Sequence, residues 1–117
     1  MISVNDIIMP WGREIPYTTP TGIKTNLRNI GYLAVQLGRT PQTVRRWEIG
    51  KCIPKTPFKD SRGQRLYSDE HIQAIVDCAE KAGINQGRNM SQTQFSVWVY
   101  KEFDRIHKEF FDVKKEK

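Results

Sequence analysis

The first regular pattern along the chain is a helical spacing of apolar residues over 30–37. Asn29 stands before it as an N-cap, and Gly38 follows it as a residue suited to a left-handed helix end. The apolar positions fall at i, i+3, i+4 and i+7, and they are Ile30, Leu33, Ala34 and Leu37. The pattern predicts a short helix with one buried face.

A second helix is predicted directly after the first. Thr40 and Pro41 fit the N-cap and the first helical position, and the helix runs to about Ile49. Val44 and Trp47 lie one turn apart and would form its buried face, so Trp47 is predicted as a core residue. Two helices separated by only two residues must turn sharply on each other, which is the geometry of a helix-turn-helix.

Residues 52–67 change from the helical pattern to that of a β-hairpin. Pro54 and Pro57 oppose a helix, residues 60–63 form a turn sequence, and residues 64–67 alternate like a strand. The tip and the flanks of this hairpin are basic. The pattern therefore predicts a basic wing beside the two helices.

A third helix is predicted from an N-cap at Ser68 to an end at Gly83. Asp69 and Glu70 in its first turn complement the helix dipole. The order helix, tight turn, helix, basic hairpin and helix predicts a winged helix-turn-helix domain over 27–83. The apolar stripe of this third helix consists of Ile72, Ile75, Val76 and Ala79.

The remaining segments flank this domain on both sides. Residues 1–26 are interrupted by prolines and are expected to form an irregular or β-structured N-terminal extension. Residues 84–90 are a polar linker, and a capping box at Ser91 and Gln94 opens a long amphipathic helix over 91–113. The fold class is thus α+β and mostly helical.

The C-terminal helix carries an aromatic-rich stripe at spacings of four and three residues. The stripe fits two arrangements: it folds back onto the winged helix, or it pairs with a second copy as a short coiled coil. We slightly favour the second, a homodimer through Phe95, Val99, Phe103, Ile106 and Phe110.

The positive charge of the chain is concentrated in one stretch. The 117 residues carry 19 Lys and Arg against 13 Asp and Glu, which gives a net charge of +6. Residues 31–68 alone hold 8 basic and 2 acidic residues and therefore carry the same net charge. A focused surplus favours an anionic partner such as nucleic acid. A solvated face without a partner is the other interpretation.

Other function classes find no support in the residues. The apolar stretches are too short to cross a bilayer, and no secretory signal pattern is present. Cys52 and Cys78 lack the neighbouring ligands of a metal site. His71 and His107 have neither a nearby nucleophile nor metal-binding spacing. We therefore expect no catalysis, no cofactor, no metal and no membrane contact, and a cytoplasmic, nucleoid-associated location.

Two groups of polar residues are candidates for contact with double-stranded DNA. An α-helix fits the major groove, where glutamine pairs with adenine, arginine with guanine, and threonine contacts the thymine methyl group. A basic hairpin reaches phosphates or a minor groove. The recognition-helix candidates are Gln42, Thr43, Arg45 and Arg46, and the candidates on the wing and its flanks are Lys59, Arg62, Arg65 and Arg39.

The residues of the two helices and the wing resemble the MerR-type winged-helix family. The resemblance rests on Asn29–Gly38, Thr40–Glu48 and Gly63–Ser68. The stretch Thr43–Trp47, together with Ile53-Pro54, Lys59-Asp60 and Leu66, is also similar to lambdoid phage excisionases, which share the fold.

This resemblance implies a role for each group of candidates. Gln42, Thr43 and Arg45 would read bases. Arg46 and Trp47 would approach the DNA backbone, and Arg65 would contact a phosphate. We therefore expect a sequence-specific double-stranded DNA-binding protein that regulates transcription. The alternatives are an excisionase or small-terminase-like architectural factor of a phage or mobile element, and a protein-interaction adaptor.

Overall fold

Four helices and a four-stranded antiparallel sheet make up the parts of the chain that the computed structural model describes, residues 14–83 and 92–112. The predicted class, a winged helix-turn-helix with a long C-terminal helix, is confirmed. The expectations for residues 1–13, the linker 84–90, Ser91 and residues from 113 onward lie outside the described residues. The elements in chain order are β1 (Ile15–Thr18), β2 (Lys24–Asn29), α1 (Ile30–Leu37), α2 (Pro41–Ile49), β3 (Phe58–Lys59), β4 (Arg65–Ser68), α3 (Asp69–Ala82) and α4 (Gln92–Phe111).

The ends of the first three helices, α1 to α3, form as the sequence predicts. In each N-cap the side-chain oxygen accepts a hydrogen bond from the backbone N–H three residues later, at 3.2 Å for Asn29, 3.3 Å for Thr40 and 3.1 Å for Ser68. Gly38 and Gly83 end α1 and α3 with left-handed φ angles of 69° and 75°. Because glycine has no Cβ, Gly38 allows the sharp turn that places α2 against α1.

The sheet joins the wing to the N-terminal strands. Its order is β1-β2-β4-β3, and every neighbouring pair is antiparallel. Leu27 on β2 pairs with Ser68 on β4, and Phe58 on β3 pairs with Leu66 on the other side of β4. The sequence predicts that the DNA-binding domain starts at residue 27. In the structure this position lies inside strand β2. The β1–β2 hairpin thus widens the sheet of the wing.

Polar contacts hold β2 against the start of α3. Arg28 Nε donates to Asp69 Oδ1 at 2.8 Å, and Asn26 Nδ2 donates to Asp69 Oδ2 at 3.4 Å. Thr25 Oγ1 donates to Glu70 Oε1. The two carboxylates therefore lie at the positive end of the α3 dipole, as predicted, and also fasten a strand.

The aromatic-rich stripe of α4 is buried by its own chain. All five stripe residues are at most 6% exposed. The N-terminal half of α4 packs with α1, α2 and α3, and its C-terminal half packs with Leu27, Phe58 and Leu66 of the sheet. The preference for a homodimer through Phe95, Val99, Phe103, Ile106 and Phe110 is therefore wrong, because this apolar surface is already used inside one chain.

The β1–β2 turn fastens the far end of α4. The backbone N–H and the Oγ1 of Thr21 donate to the carbonyl oxygen of Phe110 at 3.3 Å and 3.1 Å, and Oγ1 also contacts the carbonyl oxygen of Glu109. The last carbonyls of a helix have no partner within the helix. This clasp, formed by Thr21, Glu109 and Phe110, supplies them with donors from the other end of the described chain.

His71 lies between the sheet and α4 in the core and is only 1% exposed. Its Nδ1 is 2.5 Å from Ser68 Oγ, and its ring centroid is 4.5 Å from that of Phe103, 5.6 Å from Phe110 and 6.0 Å from Phe58. This burial, with a smaller contribution from the charge of His107, lowers the pKa of His71 to about 4. The histidine is therefore neutral in the folded protein near pH 7.

Candidate nucleic-acid interface

Helix α2 presents three of its four candidate residues fully to solvent. Gln42, Arg45 and Arg46 are exposed, and Thr43 is half-buried. The amphipathic sequence fixes this orientation, because Val44 and Trp47 bury the opposite face. Gln42 Oε1 accepts from Arg45 Nη1 at 3.4 Å, so the two side chains lie side by side.

Thr43 has a local role in the helix start. Its backbone N–H donates to Thr40 Oγ1, and the two threonine hydroxyls are 3.1 Å apart. This contact fixes the position of the Thr43 methyl group at the first turn of α2.

The wing turn is held by hydrogen bonds to Asp60. One carboxylate oxygen, Oδ1, accepts from the backbone N–H groups of Arg62 and Gln64, both at 2.9 Å. Gly63 adopts a left-handed φ of 80° and donates its N–H to the Asp60 carbonyl oxygen at 2.9 Å. Lys59 and Arg62 are exposed beside this turn. The wing therefore presents two cations from an ordered turn.

A groove brings the wing and α2 together. Its volume is about 350 Å³, and it contains Arg45 from α2 and Arg65 from the wing. Of the eight candidate residues, these two line the groove, and the other six lie outside its lining. The remaining lining residues come from the start of α1, the start of α2 and the wing, namely Asn29, Ile30, Gly31, Pro41, Gly63 and Gln64.

Sequence reasoning missed the anchor of Arg65. Its Nε donates to Oε1 of Glu48, a carboxylate that is only 5% exposed at the end of α2. The other oxygen, Oε2, accepts from the Thr56 N–H at 3.3 Å and from the Tyr67 hydroxyl at 3.4 Å. The sequence contains one indication that Glu48 is buried. Glu48 follows Val44 by four residues, which places it on the inward face of α2.

The Glu48 network ties α2 to the wing. Thr56 contributes further, because its hydroxyl donates to the carbonyl oxygen of Leu66 on β4. Burial, reinforced by the negative charge of Glu48, raises the pKa of Tyr67 above its usual range. The hydroxyl therefore remains a hydrogen-bond donor at any working pH.

Arg39 and Trp47 form a pair in the turn between α1 and α2. The guanidinium of Arg39 lies 5.6 Å from the ring centroid of Trp47, within the range of a cation–π contact. Trp47 is 8% exposed and packs edge-on against Phe95 at 5.3 Å. Its prediction as a core residue is confirmed, whereas the DNA-backbone contact implied for it by the resemblance has no exposed ring to support it.

Other chemistry-bearing residues do not converge on a site within the described ranges. No cluster of three or more His, Cys, Asp or Glu side chains with the arrangement of a metal site occurs in residues 14–83 and 92–112. Cys52 and Cys78 are free thiols whose pKa values burial raises. Among the helices of the described part, none has the length and apolar character that a bilayer crossing requires.

The part of the sequence that forms this interface matches the model of a known protein family. The family model of the MerR HTH family regulatory proteins matches residues 28–86, which is 59 of the 117 residues. The matched stretch contains α1, α2, the wing and α3, and thus every residue of the groove. No curated protein and no solved structure matches the chain. The match covers half of the chain, and the chain belongs to the MerR HTH family of regulatory proteins.

Proposed function

We propose that this DNA-binding regulator recognises a specific double-stranded sequence, with α2 in the major groove and the wing on the adjacent backbone. The family supports DNA binding and a role in transcription regulation. The observation that carries the proposal is the shared groove, in which Arg45 of α2 and Arg65 of the wing lie together with the start of α1. A helix start carries a partial positive charge, so the groove combines three sources of attraction for phosphate.

The exposed face of α2 supports base recognition. Gln42 and Arg45 are adjacent and unburied, and their side chains offer the donor and acceptor patterns that pair with adenine and guanine. The methyl group of the half-buried Thr43 is assigned to contact with a thymine methyl group. Arg46, which is exposed on the next position, is assigned to the flanking phosphates.

The wing residues divide between two tasks. Lys59 and Arg62 are exposed at an ordered turn and act as phosphate contacts. Arg65 is bound to Glu48 through Nε, and we assign the N–H groups of its terminal nitrogens to a phosphate, since within residues 14–83 and 92–112 its hydrogen bond to a side chain is made through Nε. Arg39, held against Trp47, contributes a cation at the flank of the turn.

The test of sequence-specific binding is selection of bound fragments from a random duplex pool at near-physiological salt. An enriched motif supports the proposal. Tandem direct sites with a bent duplex would instead favour the architectural, excisionase-like role. Absence of any motif, with binding that disappears as salt rises, would reduce the interaction to electrostatic attachment, because each neutralised phosphate gives a log–log salt slope of about −0.9.

Arg45→Ala and Arg62→Ala should separate base recognition from backbone contact. We expect Arg45→Ala to cost about 1–3 kcal/mol on the selected site and much less on random duplex, because a bidentate base contact is lost. Arg62→Ala should weaken both duplexes alike and reduce the salt slope by about 1. Fluorescence anisotropy on both duplexes over a salt series measures these quantities.

Arg62 is the better wing variant for this comparison, since Arg65 also holds Glu48 and its loss alters stability. Equal losses on selected and random DNA for both variants would contradict the division of roles.

A further inference from the structure

An apolar patch lies exposed at the C-terminal end of α2 and on the neighbouring turns of α4. Ile49 is 72% exposed, Val97 47% and Tyr100 41%. Val97 and Tyr100 are three residues apart on α4 and so share a face. Ile49 and Tyr100 border a groove of about 550 Å³ whose floor includes Ile53 and Pro54. Two exposed apolar side chains at the border of a groove, with Val97 next to one of them on α4, indicate an interaction surface.

The rim of this groove is positively charged. Lys51, Lys55 and Arg65 line it, and both lysines are exposed. The carboxylate in the lining, Glu48, is buried and bound to Arg65. Neither lysine forms a salt bridge with any residue of 14–83 or 92–112. An apolar floor beneath a cationic rim is complementary to an apolar group flanked by negative charges.

Lys51 occupies a position that favours glycine. Its φ angle is 63°, in the left-handed region, and it is a non-glycine residue with positive φ. The strain of this conformation in a side-chain-bearing residue costs about 1 kcal/mol or more. Its carbonyl oxygen accepts from the Tyr100 hydroxyl at 3.0 Å, which fixes the backbone at the groove edge. The ammonium is thus presented at the rim despite a local cost, which points to use of its charge.

We propose that this groove, bordered by Ile49, Lys51, Lys55 and Tyr100, docks an acidic peptide segment of a partner protein that inserts one apolar side chain. A second copy of the chain carries the same net charge of +6 and is therefore a poor electrostatic complement to the cationic rim. Duplex DNA would satisfy the lysines but would leave Ile49 and Tyr100 without apolar partners. Arg65 lines both this groove and the one proposed for DNA, whereas Ile49, Lys51, Lys55 and Tyr100 belong to this groove and have no role in the DNA-binding proposal.

The test starts from a library of random short peptides displayed on phage and selected on the full chain. The selected peptides should combine Asp or Glu with Leu, Phe or Trp. A fluorescein-labelled copy of the strongest peptide is then titrated with the wild type and variants by fluorescence polarisation. Ile49→Gln should weaken binding about 10-fold, since central apolar anchors dominate such interfaces. Val35→Gln removes another exposed apolar residue, 42% exposed on α1, and should leave binding unchanged.

The Lys51→Gly variant separates an effect on peptide affinity from an effect on protein stability. Glycine adopts the left-handed conformation without strain, so the melting temperature should be unchanged or higher. The peptide affinity should nevertheless fall, and the difference from wild type should shrink at high salt because the lost contact is electrostatic. Retained affinity in Lys51→Gly together with Lys55→Gln would overturn the charge assignment and with it the proposal.

Four other results would overturn the proposal. In the first, the selected peptides bind with no dependence on Ile49, and in the second, no peptide family is enriched at all. A lower melting temperature for Ile49→Gln would mean that a segment of the same chain covers the patch. A loss of duplex affinity for Ile49→Gln comparable to that of Arg45→Ala would assign the groove to DNA.

Discussion

Arg65→Ala is expected to lower the free energy of unfolding by about 3 kcal/mol, because it leaves the Glu48 carboxylate buried without its cation. The value lies at the low end of the range for buried pairs, since Arg65 itself is 28% exposed and partly screened. Urea unfolding followed by circular dichroism measures the change. Arg62→Ala is the matched control, an exposed arginine of the same wing, and its effect should stay within about 0.5 kcal/mol.

A double-mutant cycle identifies the source of this loss. Glu48→Ala should destabilise by a similar amount, because it leaves Arg65, the Thr56 N–H and the Tyr67 hydroxyl without their acceptor. The double variant should lose less than the sum of the single variants by about 1–3 kcal/mol. Strictly additive losses would show that the contact does not couple α2 to the wing.

The second large effect is acid destabilisation through His71. The pKa of this histidine is about 4 in the folded protein against an ordinary value of 6.5, so the unfolded chain binds more protons between these values. The resulting stability is complete above pH 6.5 and is lost as the pH falls toward 4. The full difference amounts to about 3 kcal/mol.

His71→Leu should remove most of this pH dependence. The variant lacks the hydrogen bond to Ser68, which lowers stability at all pH values, but it has no imidazole to protonate. Urea unfolding of both proteins at several pH values from 4 to 7 gives the difference curve. His107→Gln, which changes an exposed histidine on α4, should retain most of the slope of the wild type, because burial lowers the pKa of His71 more than the charge of His107 does. A wild-type slope that persists in His71→Leu would show that other groups cause the acid effect.

The local features of the fold could be predicted from the sequence because neighbouring residues determine them. Asn29, Thr40 and Ser68 cap helices with their own side chains, and Gly38 has a conformation that few other residues adopt. The buried faces of α1, α2 and α3 follow from apolar spacing for the same reason. The residues proposed to contact DNA on α2 are exposed because the opposite face is apolar.

The features that sequence reasoning missed depend on residues far apart in the chain. Periodicity identified the stripe on α4 but carried no information on whether its own chain or a second copy covers it. Glu48 and Arg65 are each ordinary charged residues, and their pairing appears only when α2 and the wing are placed together. The candidate site could therefore be predicted as a set of cationic residues. The structure was needed to show which of them, such as Arg65, is bound to a buried carboxylate.

The clasp between Thr21 and the last turn of α4 has a consequence for synthesis on the ribosome. Thr21 and Phe110 are 89 residues apart in the sequence. The contact between them therefore cannot form until the whole of α4 has left the exit tunnel. Until then the apolar faces of α3 and the wing lack their cover, and the nascent chain displays them to chaperones. Translation proceeds at about 5–20 residues per second, so this exposed interval lasts seconds and ends in one late docking event.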